Sequence, residues 1–223
     1  MNKPKVNIIA LLAAGESRRF GDAKLAQRLD GASFYAGDKF DAALQFDSCN
    51  EPTLIGAVYA RLRVVAERVG AHLVVVVGGH LEKVSSCLPA NAEFIINPDW
   101  QQGISSSIGA AAKFAQTEQA SSLMIALGDQ LALTVDDYLN LYLARKQIDT
   151  RVCAYYGHTL AVPAIFHRDD FDHLLSLSGD RGAKPLLKQR YQEGKLIAAF
   201  MPRGAVDIDT PEELKHFLDG DEI

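Results

Sequence analysis

The sequence predicts an α/β fold of three layers, a mostly parallel sheet covered by helices on both faces. Three observations predict it. Short apolar runs alternate with helical patterns along nearly the whole chain. The clearest run, HLVVVV at 72–77, is apolar at almost every position, as strands buried on both faces are. Hydrophobic residues make up 48% of the 223 positions, enough for a sizeable core.

The strands are read in order at 6–12 (VNIIALL), 72–77, 93–96 (EFII), 122–127 (SLMIAL), 151–156 (RVCAYY), 161–166 (AVPAIF) and 196–201 (LIAAFM). Helices are read between and after them at 53–69, 81–88, 105–117, 134–147, 168–177, 183–193 and 211–218. Two helix starts are well marked. Thr134 opens TVDD and Thr210 opens TPEE, each a hydroxyl cap followed three residues on by an acid. Pro211 then sits at the first helical position, where a missing N–H does no harm. Residues 25–51 are less regular, rich in Gly, Asp and Ala. They read as an expanded loop or hairpin-like insertion within a single domain spanning 1–223.

Bulk properties exclude several functions. A net charge of −5 argues against a nucleic-acid binder. No apolar run reaches the roughly 18 residues of a membrane-spanning helix. Lysines precede the first apolar segment, as in a leader peptide. That segment is short and runs into a cationic loop, so it is read as the first strand. Cys49, Cys87 and Cys153 form no CxxC pair, and the six histidines form no HExxH. A reducing cytoplasm is the expected location.

The stretch LLAAGESRRFGDAK (11–24) follows the first strand directly. In open parallel sheets, ligands bind at the carboxyl ends of strands. Ala13, Ala14 and Gly15 leave backbone N–H groups unshielded for an anion, and Arg18, Arg19 and Lys24 supply countercharge. The spacing is neither G-x-x-x-x-G-K-[ST] nor G-x-G-x-x-G. By itself it is also the spacing of an ordinary glycine turn with solvated arginines.

The same stretch resembles the signature L-A-[AG]-G-x-S-x-R-[MF]-G-x-x-K of the glycosyltransferase-A-like nucleotidyltransferases. Within them it is similar to the molybdenum cofactor cytidylyltransferases and their molybdopterin-guanylyltransferase cousins, and Ala14 resembles the cytidylyl branch. Further segments match in family order: VVVVGGHLEKV (74–84), NPDWQQGISSSIGAA (97–111), MIALGDQ (124–130), AVPAIF (161–166), LSGDRGAKPLL (177–187) and AVDIDTPEEL (205–214). Leu131 stands where the family usually has proline, a departure expected to alter the stiffness of the turn more than its chemistry. The insertion before EPTLIG (51–56) is the larger departure. It lies beside the expected triphosphate site.

The resemblance implies a Rossmann-like nucleotide-diphospho-sugar transferase fold. It implies a magnesium-dependent transfer of CMP from CTP to the phosphate of a molybdopterin-type acceptor, with pyrophosphate released. Arg19 and Lys24 are implied as catalytic groups on the β and γ phosphates. Leu12, Ala13, Ala14, Gly15 and Arg18 are implied to wrap the triphosphate; Gly78, Gly79, Gly103, Ser105 and Ser106 to meet base or ribose; Gly179, Asp180 and Lys184 to receive the acceptor. Asp129, at a strand tip, and Asp209 are implied as Mg2+ ligands, with Asp207 supporting. Asp207 and Asp209 alternate with Ile208, so an extended segment would point both carboxylates the same way. Trp100 is read as packing and His80 as a turn residue. CTP or another nucleoside triphosphate, the acceptor, and transient contact with a molybdoenzyme or its chaperone are the implied partners. Three alternatives stay open: another phosphorylated acceptor such as a sugar phosphate, a non-catalytic nucleotide-binding protein, and a catabolic oxidoreductase, which some relatives are described as being.

Overall fold

The computed structural model describes residues 6–15, 20, 23–29, 52–147, 149–206 and 208–219. Arg18, Arg19 and Asp207 of the expected site lie outside the described residues, as does 30–51 of the expected insertion.

Seven strands form one sheet: β1 (Asn7–Ala13), β2 (Ala71–Val77), β3 (Phe94–Ile96), β4 (Ser122–Leu127), β5 (Arg151–Tyr156), β6 (Thr159–His167) and β7 (Leu196–Phe200). Their spatial order is β3-β2-β1-β4-β6-β5-β7. β1 pairs in parallel with β2 on one side and β4 on the other. β6 alone runs antiparallel to both its neighbours, β4 and β5. Its reversal comes from a two-residue hairpin, Gly157–His158, in which both residues have positive φ (53° and 58°). β7 then returns parallel to β5.

The helices are α1 (Leu54–Val69), α2 (Leu81–Ser85), α3 (Ile104–Thr117), α4 (Val135–Leu143), α5 (Phe171–Leu175), α6 (Lys184–Gln192) and α7 (Pro211–Asp219). Both expected caps are formed. Thr134 Oγ1 accepts from the Asp137 amide while Asp137 returns the bond to the Thr134 amide. Thr210 and Glu213 do the same at α7. The expected helix at 134–147 ends earlier, at Leu143, and the expected helix at 168–177 opens with a single 3₁₀ turn, Arg168–Asp170.

β1 shows why the layers number three. Ile9, Leu11 and Ala13 face a core shared with α1, α4 and α7; Ile8, Ala10 and Leu12 face a second core shared with α3, α5 and α6. Successive strand side chains point to opposite faces, so a strand apolar throughout demands cover on both.

Candidate active site

The sheet's parallel strands deliver their carboxyl ends to one edge, and the turns after β2 and β4 are stitched to the end of β1. The Gly79 amide donates to the Ala14 carbonyl (3.1 Å) and the Gly128 amide to the Leu12 carbonyl (2.9 Å). Leu12, Ala13, Ala14 and Gly15 thereby line a cavity of about 450 Å³, facing Trp100, Gly103, Ser107, Lys24 and Asp129.

Lys24 opens a 3₁₀ turn (Lys24–Ala26) fixed to the start of α1. The Leu54 amide donates to the Gln27 carbonyl (2.9 Å), the Leu29 amide donates to the Pro52 carbonyl (2.8 Å), and Arg28 pairs antiparallel with Thr53. The chain therefore leaves the site at Leu29 and re-enters beside it at Pro52. Residues 27–29 and 52–54 are thus held side by side by these bonds.

At the cavity floor Lys24 Nζ donates to Asp129 Oδ2 (2.9 Å) and to Asp209 Oδ1 (3.3 Å). The lysine is only 5% exposed. Burial opposes its charge, but Asp129 and then Asp209 outweigh burial and hold the ammonium above the ordinary lysine pKa. Two aspartates 80 residues apart in sequence thus converge on one cation. Each is fixed by its backbone. The Leu131 amide donates to the Asp129 carbonyl (2.8 Å), and Arg61 of α1 donates to the Leu131 carbonyl (2.7 Å). The Asp209 amide donates to Glu213 Oε2 (2.7 Å), the carboxylate that also caps α7, while Ile208 is buried behind it.

A second cavity, about 340 Å³, shares Leu12, Ile104, Leu127, Asp129 and Asp180 with the first. Beyond this common wall it is bordered by Gln130, Tyr156, Val162 and Lys184. Gln130 Nε2 (3.0 Å) and the Tyr156 hydroxyl (3.1 Å) both donate to the Val162 carbonyl, so this wall is held by its own hydrogen bonds.

The remaining expected site residues divide. Asp180 lies on the shared wall and Lys184 on the second cavity; Gly179 is next to Asp180 but lines neither. Gly78 and Gly79 lie under the Trp100 side chain, where a Cβ on Gly78 would come within 2.6 Å of it. Trp100, not the glycines, presents a surface to the cavity. Ser105 is buried, and the Ser106 hydroxyl donates to the Gly103 carbonyl (2.8 Å) and accepts from Asn97 (2.9 Å). Ser107 is the serine on the cavity wall. A helix period explains this: only one side of α3 can face the opening. The sequence reading missed Gln130 and Tyr156. The signal for Gln130 was its place right after Gly-Asp; for Tyr156 there was none without the hairpin.

The carboxylate pair fits a divalent metal on its own chemistry. Its hard oxygens already hold one cation, the lysine ammonium. Among the described residues no group of three or more His, Cys, Asp or Glu forms a cage. Two carboxylates completed by substrate phosphates and water are how Mg2+ is commonly bound.

The family described as the MobA-like NTP transferase domain matches residues 9–194 of this chain. The chain belongs to that family. It is accordingly a nucleotidyltransferase of MobA-like type. This MobA-like chain is 28% identical over 212 residues to the purine catabolism protein PucB of Bacillus subtilis, covering 91% of each chain. It is 29% identical over 163 residues to the nicotine blue oxidoreductase of Paenarthrobacter nicotinovorans, covering 67% of this chain and 76% of the relative. Solved structures share the MobA-like fold across nearly the full length. A nucleotidyl transferase from Methanothermobacter superposes with a TM-score of 0.72 at 18% identity, covering 97% and 98% of the two chains. The manganese complex of Rv0371C from Mycobacterium tuberculosis gives 0.61 at 18% identity, covering 97% and 100%. A CMP:2-keto-3-deoxy-manno-octonic acid synthetase complexed with CTP gives 0.65 at 12% identity, covering 96% and 98%.

Proposed function

We propose that this protein transfers CMP from CTP to the terminal phosphate of a molybdopterin-type acceptor. An acceptor phosphate oxygen attacks the α-phosphorus of CTP. The bond to the bridging oxygen breaks, and pyrophosphate leaves with its electron pair. The attacking oxygen is already anionic, so the protein needs no nucleophile of its own. The observation that carries the reading is the meeting of two cavities at Asp129, beside the Lys24–Asp209 pair. The larger cavity, against the turn after β1, suits the triphosphate and its nucleoside; the second suits the acceptor.

In this reading Asp129 and Asp209 hold Mg2+, which when bound supplies Lewis acidity and a template for the α-phosphate. Arg18, Arg19 and Lys24 neutralise the charge that grows on pyrophosphate, while Ala13 to Gly15 let the chain approach it. Trp100 and Ser107 border the nucleoside, and Asp180 and Lys184 orient the acceptor. Catalysis is then positioning plus charge neutralisation.

The resemblance to nicotine blue oxidoreductase favours a second reading, reduction of an aromatic substrate. Against it, the turn after β1 lacks G-x-G-x-x-G. One assay separates the readings. Purified protein with Mg2+ is given CTP, GTP, ATP or NADH, each with molybdopterin, a sugar phosphate or an aromatic acceptor, and pyrophosphate release and NADH oxidation are followed. Pyrophosphate released from CTP with molybdopterin, and lost by about a hundredfold or more in Asp129→Asn, is the expected result. NADH oxidation with no pyrophosphate from any pair overturns it.

A further inference from the structure

The position of Lys24 differs from the one its motif implies. It was expected on the phosphates, yet its ammonium sits between Asp129 and Asp209, 2.9 Å and 3.3 Å from their oxygens. It is buried at the floor of the cavity it lines. A cation therefore already occupies the centre that the two carboxylates offer to a metal.

We propose that Lys24 is a placeholder cation that keeps a divalent metal off Asp129 and Asp209 until a polyphosphate draws the ammonium away, so that metal and nucleotide are taken up together. This rests on the proposed metal role of those aspartates. The electrostatics follow from charge counting. With Lys24 in place the three side chains carry one net negative charge, and a divalent ion must approach a fixed ammonium at ion-pair distance. With Lys24 moved onto a phosphate, both carboxylates lose that ammonium at the moment a ligand brings further oxygens for the ion. Lys24 needs only to turn its flexible stem within the cavity it already borders. Its replacement by another cation in the metal-bound state also keeps the two carboxylates from facing each other uncompensated. By linkage the coupling is reciprocal: whatever polyphosphate does for metal, metal does for polyphosphate.

The test is binding of Mn2+ to the nucleotide-free full chain, read from the free-ion paramagnetic resonance signal and from thermal shift. Lys24→Met is compared with the wild type, with Lys24→Arg, and with Lys24→Met/Asp129→Asn. Lys24→Met should bind Mn2+ roughly tenfold or more tightly than wild type, the scale of removing a unit charge at this distance from a half-buried site. Lys24→Arg should stay near wild type, and the double variant should lose the gain. In wild type, Mn2+ should raise the melting temperature only when CTP is present; in Lys24→Met it should do so alone. If Lys24→Met does not fold, judged by circular dichroism, Lys24→Gln takes its place. Equal or weaker Mn2+ binding by the neutral variant overturns the proposal, and so does a gain that survives Asp129→Asn. The Mn2+ affinities of the nucleotide-free chains and the thermal shift of Lys24→Met depend on neither acceptor nor base. A failed pyrophosphate assay with these results intact removes the transfer reading and leaves the placeholder standing.

Discussion

Gly103 and Asp180 approach so closely that a β-carbon on Gly103 would stand 2.1 Å from Asp180 Oδ1 and 2.9 Å from the Gly179 backbone. Gly103 also has φ 93° and ψ 178°, a conformation essentially reserved for glycine. This contact joins the start of α3 to the Gly179–Arg181 turn, and through them the wall shared by both cavities.

Gly103→Ala should therefore act at two levels. Backbone strain and the displaced carboxylate together should cost at least about 2 kcal/mol of stability, read by urea unfolding. Because Asp180 must move, nucleotide and acceptor should both bind more weakly. Gly15→Ala is the contrast: a β-carbon there would meet nothing within 4 Å, so folding should be spared and only ligand binding affected. A stable Gly103→Ala protein with normal binding would contradict this reading of the wall.

A second prediction concerns a buried ionic cluster that lines neither cavity. Asp170 is wholly buried and accepts from Arg151 Nε and from Arg190 Nε (2.7 Å), tying the start of β5 to α6. Arg190 is held in turn by Glu193 (3.0 Å). Removing one member of a buried ionic set leaves uncompensated charge, so Asp170→Asn should cost about 3–5 kcal/mol. Pyrophosphate release at low temperature, where the variant stays folded, should be nearly unchanged, since no member of the cluster lines either cavity. Denaturant titration alongside the assay checks both halves.

The residues themselves show what could be read beforehand. All seven strands were legible because runs such as Val74–Val77 are apolar on both faces, and the caps at Thr134 and Thr210 because their partners lie three residues away. The antiparallel course of β6 was not legible: it depends on positive φ at His158, which no periodicity announces. The fold type, and the pairing of Asp129 with Asp209, came from the resemblance and not from spacing; the strand order was not legible. Leu131 was read as a change in stiffness. The structure gives it a hydrogen-bonding amide that proline lacks and a side chain buried in the core. Asp170 went unnoticed because RDDF looks like the exposed start of a helix. Only tertiary contact distinguishes its second aspartate from its first.

Alkaline pH should expose the chemistry of the core. Burial pushes the Cys153 thiol from 9.0 up to about 12. It also raises the Tyr138 and Tyr142 phenols, whose buried hydroxyls have no hydrogen-bond partner among the described residues. For each of these acids the unfolded chain loses its proton first. Between the unfolded and folded pKa values the native state binds more protons than the unfolded state, so stability falls as pH rises, by about 1.4 kcal/mol per pH unit per group. Lys24 acts in the same direction. Its raised pKa gives stability that is complete below the ordinary lysine value and is lost as pH climbs through the folded one. Unfolding free energy should thus be level near neutrality and drop steeply from about pH 9 to pH 11. Tyr138→Phe removes an unsatisfied hydroxyl, so it should be neutral or stabilising at pH 7 and should flatten the alkaline slope. Cys153→Ala should flatten the first part of the slope, at some cost in packing. Urea titrations across that range decide the matter: a slope unaltered by either substitution would mean that these groups meet solvent before the chain unfolds.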